Sequence, residues 1–119
     1  IEYCKRNYSK EGVQFYSNGL PSKVADFNVM SGTFNFAPDL TVNAWRNYLF
    51  SSLNSIWNLT RCSMIFNLMI SNEDKITSQS ISYIRQETIL NFCQSNFGAT
   101  SKYFSSKLPR EITLCISKI

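Results

Sequence analysis

The 119 residues contain no histidine, and that absence removes the most chemistry. Without imidazole there is no Ser-His-Asp or Cys-His arrangement, no usual general base and no metal site built on ring nitrogens. Glycine is scarce as well: the four glycines, at 12, 19, 32 and 98, form no phosphate-cradling loop. No cysteine stands in a C-x-x-C pair, so a zinc site would need all four widely spread thiolates. Long apolar runs are missing too. The longest, Met64 to Ile70, falls far short of the ~20 residues that cross a bilayer.

Aromatic residues are plentiful. Nine Phe, six Tyr and two Trp exclude a disordered chain, and the length suits one domain, 1–119. The four cysteines, Cys4, Cys62, Cys93 and Cys115, are even in number. The chain opens on Ile1 with no charged-then-apolar leader, which a removed signal peptide or a trimmed chain would explain. Two disulfides in an oxidising compartment are therefore expected over four free thiols. Three pairings are open; Cys4–Cys115 with Cys62–Cys93 is the one expected, because chain ends often lie close together. The sequons at Asn7 and Asn58 are no more than chance gives among twelve asparagines.

Twelve Lys and Arg against eight Asp and Glu leave a net charge of +4. The basic residues are scattered and form no dense stripe, so a nucleic-acid partner is not expected. An acidic protein partner suits this charge better. The local excess lies at the end, where Lys102, Lys107, Arg110 and Lys118 face only Glu111.

Pro38 to Asn58 reads as the main helix, with Asp39 or Thr41 as its cap. At about 100° per residue, Val42, Trp45, Tyr48, Leu49, Leu53 and Ile56 form one stripe, and Asn43, Asn47, Ser51, Asn54 and Asn58 lie opposite. Residues 1–12 read as an arm tied down by a disulfide. Val13 to Tyr16 gives a short strand signal, and a turn follows at Asn18-Gly19. Lys23 to Met30 fits either a strand, with Ala25, Phe27 and Val29 alternating, or a helix capped by Ser22 and holding Val24, Phe27 and Met30; the strand is favoured, with Gly32 to Phe36 as a second one. Thr60 to Ile70 reads as a central strand covered on both faces, with a helical continuation as the alternative because Met and Leu favour helices, and Ser71 to Asp74 reads as a turn. Thr77 to Asn96 reads as a second helix stopped by Gly98, and Ile112, Leu114 and Ile116 mark a closing strand. The expected fold is α+β: an antiparallel sheet carrying two main helices, stapled by two disulfides.

Carboxylates are the remaining route to catalysis, since a glycosidase needs two acids at about 5–9 Å. Glu73-Asp74 is the one close pair in sequence, and solvated turn charges are its ordinary explanation. No catalytic set, cofactor or metal is expected. Two clusters suit partner binding instead. Arg46, Phe50 and Trp57 lie on the flank of the main helix, where Arg and Trp are the types that dominate interfaces. The plainer account is that a second element packs over them. Lys102, Tyr103, Phe104, Lys107 and Arg110 mix cations and aromatics in an expected loop.

The opening IEYCKRNYSKEGVQFYSNG, taken as a mature N-terminus, together with the size, cysteine use and mild basicity, resembles the periplasmic bacteriocin immunity proteins. The resemblance implies an exported protein that binds a toxin of muramidase type, such as pesticin, and blocks it without an active site. An inserted Lys or Arg beside an aromatic would suit the catalytic carboxylates of such a cleft. An exported inhibitor or adhesion subunit, a carboxylate hydrolase and a sugar binder are the other readings.

Overall fold

The chain order is α1 (Glu2–Tyr8), β1 (Ala25–Met30), α2 (Val42–Asn58), β2 (Thr60–Met69), β3 (Lys75–Ile76), β4 (Ser82–Tyr83), α3 (Gln86–Phe97), β5 (Ser101–Ser105) and β6 (Glu111–Ser117). The computed structural model describes residues 1–17, 19–98, 101–105 and 108–118, with 101–105 described by backbone alone.

Thr41, rather than Asp39, starts the main helix. Its side-chain oxygen accepts a hydrogen bond from the Ala44 amide at 3.1 Å, one of the amides a helix start leaves without an acceptor. Asp39 takes a left-handed backbone, φ 59°, in the turn just ahead. Along α2 the buried residues are Trp45, Leu49, Leu53 and Ile56, while the five polar positions expected opposite are all exposed. Tyr48 departs from the expected stripe. It is 55% exposed, with its ring edge-on to Phe34 at 6.2 Å. The Trp45 indole donates to the Phe34 carbonyl at 3.0 Å, so this buried ring also satisfies its polar atom.

The sheet runs β1-β2-β6-β5. β2 pairs antiparallel with β6, and β6 with β5, but β1 pairs parallel with β2. The expected all-antiparallel sheet is thus mixed. The cause is α2, which carries the chain back along the sheet so that β2 sets out in the same direction as β1. Met64, Phe66 and Leu68 of β2 and Ile112, Leu114 and Ile116 of β6 are buried on one face. They join α2 and the α3 residues Ile89, Cys93 and Phe97 in one core cluster. β2 is central, as expected. Its cover is one-sided, because both long helices pack on the same face.

The short β3–β4 hairpin closes one end. Ile84 bridges Ile70 and Ile81 bridges Phe36, and Ser82 donates its hydroxyl to the Phe34 carbonyl at 2.6 Å. This hairpin occupies part of the stretch expected to be helical from Thr77. Thr77 instead holds a turn, accepting from Ile81 on its side chain and donating to Ile81 through its backbone, with Ser80 at φ 66°. Helix α3 therefore begins only at Gln86.

Other expectations are corrected locally. The N-terminal arm is the helix α1 over Glu2–Tyr8, with no buried residue. Val13 to Tyr16 forms no strand, and 32–36 is a turn with a single bridge at Phe36. Part of the Lys102–Arg110 loop, 101–105, is the strand β5, held by β6. The turn residue Asn18 lies outside the described residues.

The disulfide staples are absent: Cys4, Cys62, Cys93 and Cys115 are all free. Cys93 faces the core at 0% exposure. Cys115 pairs with Ile65 across the β2–β6 ladder, whereas Cys62 receives the Lys118 amide, so their positions on neighbouring strands do not coincide. Cys4 sits on α1. No pair approaches the Cβ separation of about 3.5–4.5 Å that a disulfide needs.

Candidate functional site

The alternation of Ala25, Phe27 and Val29 makes a strand, but it does not say which way the apolar side chains face. The register does. Met30 pairs with the buried Phe66 and Asn28 with the buried Met64, so these two stand on the helix-covered side. Phe27 pairs with Ser63 and Val29 with Ile65, on the opposite face. Phe27 is 63% exposed and Val29 68%. This edge strand turns Phe27 and Val29 outwards and Asn28 inwards, with Met30 as its buried apolar residue.

Asn28 explains the inward half of that arrangement. Its amide donates to the Leu59 carbonyl at 3.1 Å and to Thr60 Oγ1 at 2.8 Å, at the junction between α2 and β2. Thr60 in turn donates to Ile56 O at 2.6 Å, so side chains help to satisfy the carbonyls at the end of α2. Phe27 and Val29 have no equivalent task inside the fold. Beside Val29, a shallow dent of about 140 Å³ is lined by Ile65, Asn67 and Thr113 among others. Polar pairs frame the same face: Ser63 with Ser117 at 2.8 Å and Asn67 with Glu111 at 3.0 Å. An apolar centre with a satisfied polar rim is the anatomy of a protein-binding patch.

The sequence-predicted cluster on the flank of α2 lies beneath α3. Phe50 stacks on Phe92 with ring centres 4.0 Å apart, and Trp57 packs on Phe97 at 5.0 Å. Lys118 Nζ sits 4.6 Å over the Trp57 ring and donates to the Trp57 carbonyl at 2.8 Å. Arg46 Nη1 binds Asp74 Oδ2 at 2.8 Å. A second element does pack over this flank, and all three side chains contribute to holding it there.

The second cluster is spread along the β5–β6 connection. Lys102 and Tyr103 pair in register with Cys115 and Leu114, Phe104 pairs with Thr113, and Lys107 lies outside the described residues. Arg110 is exposed, and its carbonyl accepts from Ile70 N at 2.8 Å. Arg110 therefore sits at the end of β2 and lines a cleft together with Lys75 of the hairpin, not the α2 flank. The structure does not bring the two clusters into one site.

Glu73 and Asp74 divide. Glu73 is exposed, but the Asp74 side chain is only 11% exposed, with one oxygen on Arg46 and the other on the Arg85 amide at 2.8 Å. Asp74 is a structural clasp rather than a solvated turn charge. Cys93 is the group with a clear pKa shift; burial pushes its thiol up to about 12, which makes it an inert core residue. Among the described residues no three His, Cys, Asp or Glu side chains gather where they could hold a metal ion. Among them, too, no helix is long and apolar enough to cross a membrane.

Alternation marks Phe27 and Val29 as strand residues without saying which parity is buried, and Ile65 reads as covered in a central strand, so the sequence alone does not pick out this face. The signal that could have found them is Asn28 together with Asp26: between them they leave Met30 as the strand's one large apolar residue on the other parity. No protein-family model matches the chain, and no curated protein or solved structure matches it significantly.

Proposed function

We propose that this is a bacteriocin immunity protein, which binds and neutralises a lysozyme-like toxin in the periplasm and does no chemistry of its own. The observation that carries the binding role is the outward-facing pair Phe27 and Val29 on the open face of the sheet, 63% and 68% exposed. Burying two such side chains against a partner stabilises a complex by about 1.5–3 kcal/mol each. That is the scale on which a few residues dominate an interface. The choice of partner rests on the resemblance and on the net charge of +4, which suits the acidic cleft of a muramidase. The open face would serve an exported inhibitor or adhesion subunit equally well, so the partner has to be identified by capture.

The test has two arms. Cells exporting this protein are challenged with muramidase-type bacteriocins, and the purified toxin is titrated against Phe27→Ala and Val29→Ala. Protection by the wild type, with binding weakened about tenfold or more in each variant, is the expected outcome. Arg110→Glu should chiefly slow association and flatten its salt dependence. Sensitivity to every such toxin, with no secreted protein co-purifying, would sink the immunity reading. Protection with unchanged affinity in Phe27→Ala and Val29→Ala would move the interface off the open face.

A further inference from the structure

A cleft of about 420 Å³ opens where the end of β2, the β3–β4 hairpin, the first residue of α3 and the start of β6 converge. We propose that it binds an oxyanion, the phosphate or carboxylate group of a polar ligand of about monosaccharide size.

Its walls are polar: Ser71, Asn72, Lys75, Gln86 and Arg110 supply hydrogen-bonding groups, with Ile70 and Pro109 beside them. Two of these are cations brought from 35 residues apart in the chain. Among the described residues neither Lys75 nor Arg110 has a carboxylate within ion-pair distance.

The neighbouring acids are engaged elsewhere. Asp74 holds Arg46 and the Arg85 amide, Glu87 holds Arg85 at 2.8 Å, and Glu111 accepts from Asn67. Glu73 is exposed and does not line the cleft. Among the described residues no carboxylate lines the cleft, so the donor groups of the two cations stay free for a ligand there, and a concave wall concentrates their field.

Lys75 is also positioned. It pairs in register with Tyr83, and its Nζ lies 5.4 Å over that ring, which restricts the side chain without neutralising it. Arg110 offers a planar donor fork suited to two oxygens of one anion. Gln86 opens α3 and adds a neutral amide to the wall; the start of that helix already carries Glu87 and the Asp74 carboxylate, so the charge of the cleft comes from Lys75 and Arg110. The volume lies within the range of small-molecule sites, and the lining selects a polar, charged ligand over an apolar one.

The experiment is calorimetric titration and thermal shift with glucose 6-phosphate, glucuronate and neutral glucose, at ionic strength held constant with sodium chloride. We expect saturable binding of at least one acidic sugar at millimolar affinity or better, and none of glucose. Which acidic sugar binds more tightly identifies the group the cleft takes. Lys75→Gln and Arg110→Gln should each weaken that binding about tenfold while the folded far-ultraviolet spectrum is kept. Should either fail to fold, Asn72→Asp places a negative charge at the mouth without disturbing the Lys75–Tyr83 contact, and it should weaken binding likewise. No saturable binding of either acidic sugar, equal binding of glucose, or unchanged affinity in the folded variants overturns the proposal.

Discussion

Replacing Asp74 by Asn tests whether Arg46 belongs to the fold or to a partner. The Asp74 carboxylate divides its oxygens between Arg46 Nη1 and the Arg85 amide, both at 2.8 Å, and so joins α2 to the hairpin and to the start of α3. Exposed ion pairs contribute only ~0–1 kcal/mol, whereas removing one partner of a buried pair costs about 3–5 kcal/mol. With side chains 11% exposed for Asp74 and 38% for Arg46, this pair lies between the two limits. Arg46 Nε is already buried without an acceptor, so the guanidinium has no second carboxylate to turn to.

Asparagine keeps an oxygen for the Arg85 amide and removes only the charge. Asp74→Asn should therefore cost about 2–3 kcal/mol. Arg46→Met, which retains much of the packing of the alkyl stem, should cost about 1–2 kcal/mol. Urea unfolding followed by tryptophan fluorescence gives both values, and the double variant gives the coupling. A coupling near 1 kcal/mol or more is expected. One below ~0.5 kcal/mol would mean a solvated surface pair, and Arg46 would then be free to serve an interface.

Leu53→Ala should cost about 2–5 kcal/mol through lost burial and a residual cavity, and Asn47→Ala on the exposed face should stay within ~0.5 kcal/mol; equal losses by urea unfolding would mean the face of α2 is misplaced. Cys93 holds its proton more tightly folded than unfolded, since its value rises from 9.0 to about 12. Its stabilising contribution is thus present in full below pH 9.0 and is lost as pH rises towards 12, an effect of at most about 4 kcal/mol. Cys93→Ala should flatten the alkaline decline of stability relative to wild type, and alkylation of the native protein should modify Cys4, Cys62 and Cys115 before Cys93. A parallel alkaline decline in the variant, or two disulfides found by mass spectrometry, would refute this account.

The main helix was legible because its signal is local: a Thr cap, a 3.6-residue apolar period and a row of asparagines opposite. The closing strand was legible for the same reason, with Ile112, Leu114 and Ile116 alternating against polar partners. Helix α3 was found, but its start was placed nine residues early. Ile81 and Ile84 fit a helical stripe, and only contacts with Phe36 and Ile70, distant in sequence, hold them in bridges. Parallel pairing of β1 with β2 was equally invisible, since no local pattern records where a crossover helix returns the chain. The flank of α2 shows the limit for function. Arg46, Phe50 and Trp57 have an interface composition, yet Asp74, Phe92 and Phe97 supply their partners from 28 to 42 residues further on.

An exposed Phe or Val is ordinary by itself, because much of any protein surface is apolar. The weight falls on the middle of β1, where Asn28 faces inwards and Phe27 and Val29 face out, while Met30 keeps its apolar side chain in the core. Asn28 earns its inward position through two hydrogen bonds that finish the end of α2. Each contributes about 0.5–1.5 kcal/mol, so the inward face of β1 is not a defect. By the alternation of a strand, that choice sends Phe27 and Val29 outwards, to the face opposite the two long helices. The isolated fold forgoes about 1.5–3 kcal/mol for each side chain left in water, and a partner would recover it. β1 is also an edge strand with no strand on its outer side among the described residues, and its one charge, Asp26, is held by Arg61. A long charge at the edge is how strands usually repel a stranger. The features that oppose docking are thus weak on the same edge that carries the exposed aromatic, which favours a partner laid across β1 over one reaching the end of the sheet.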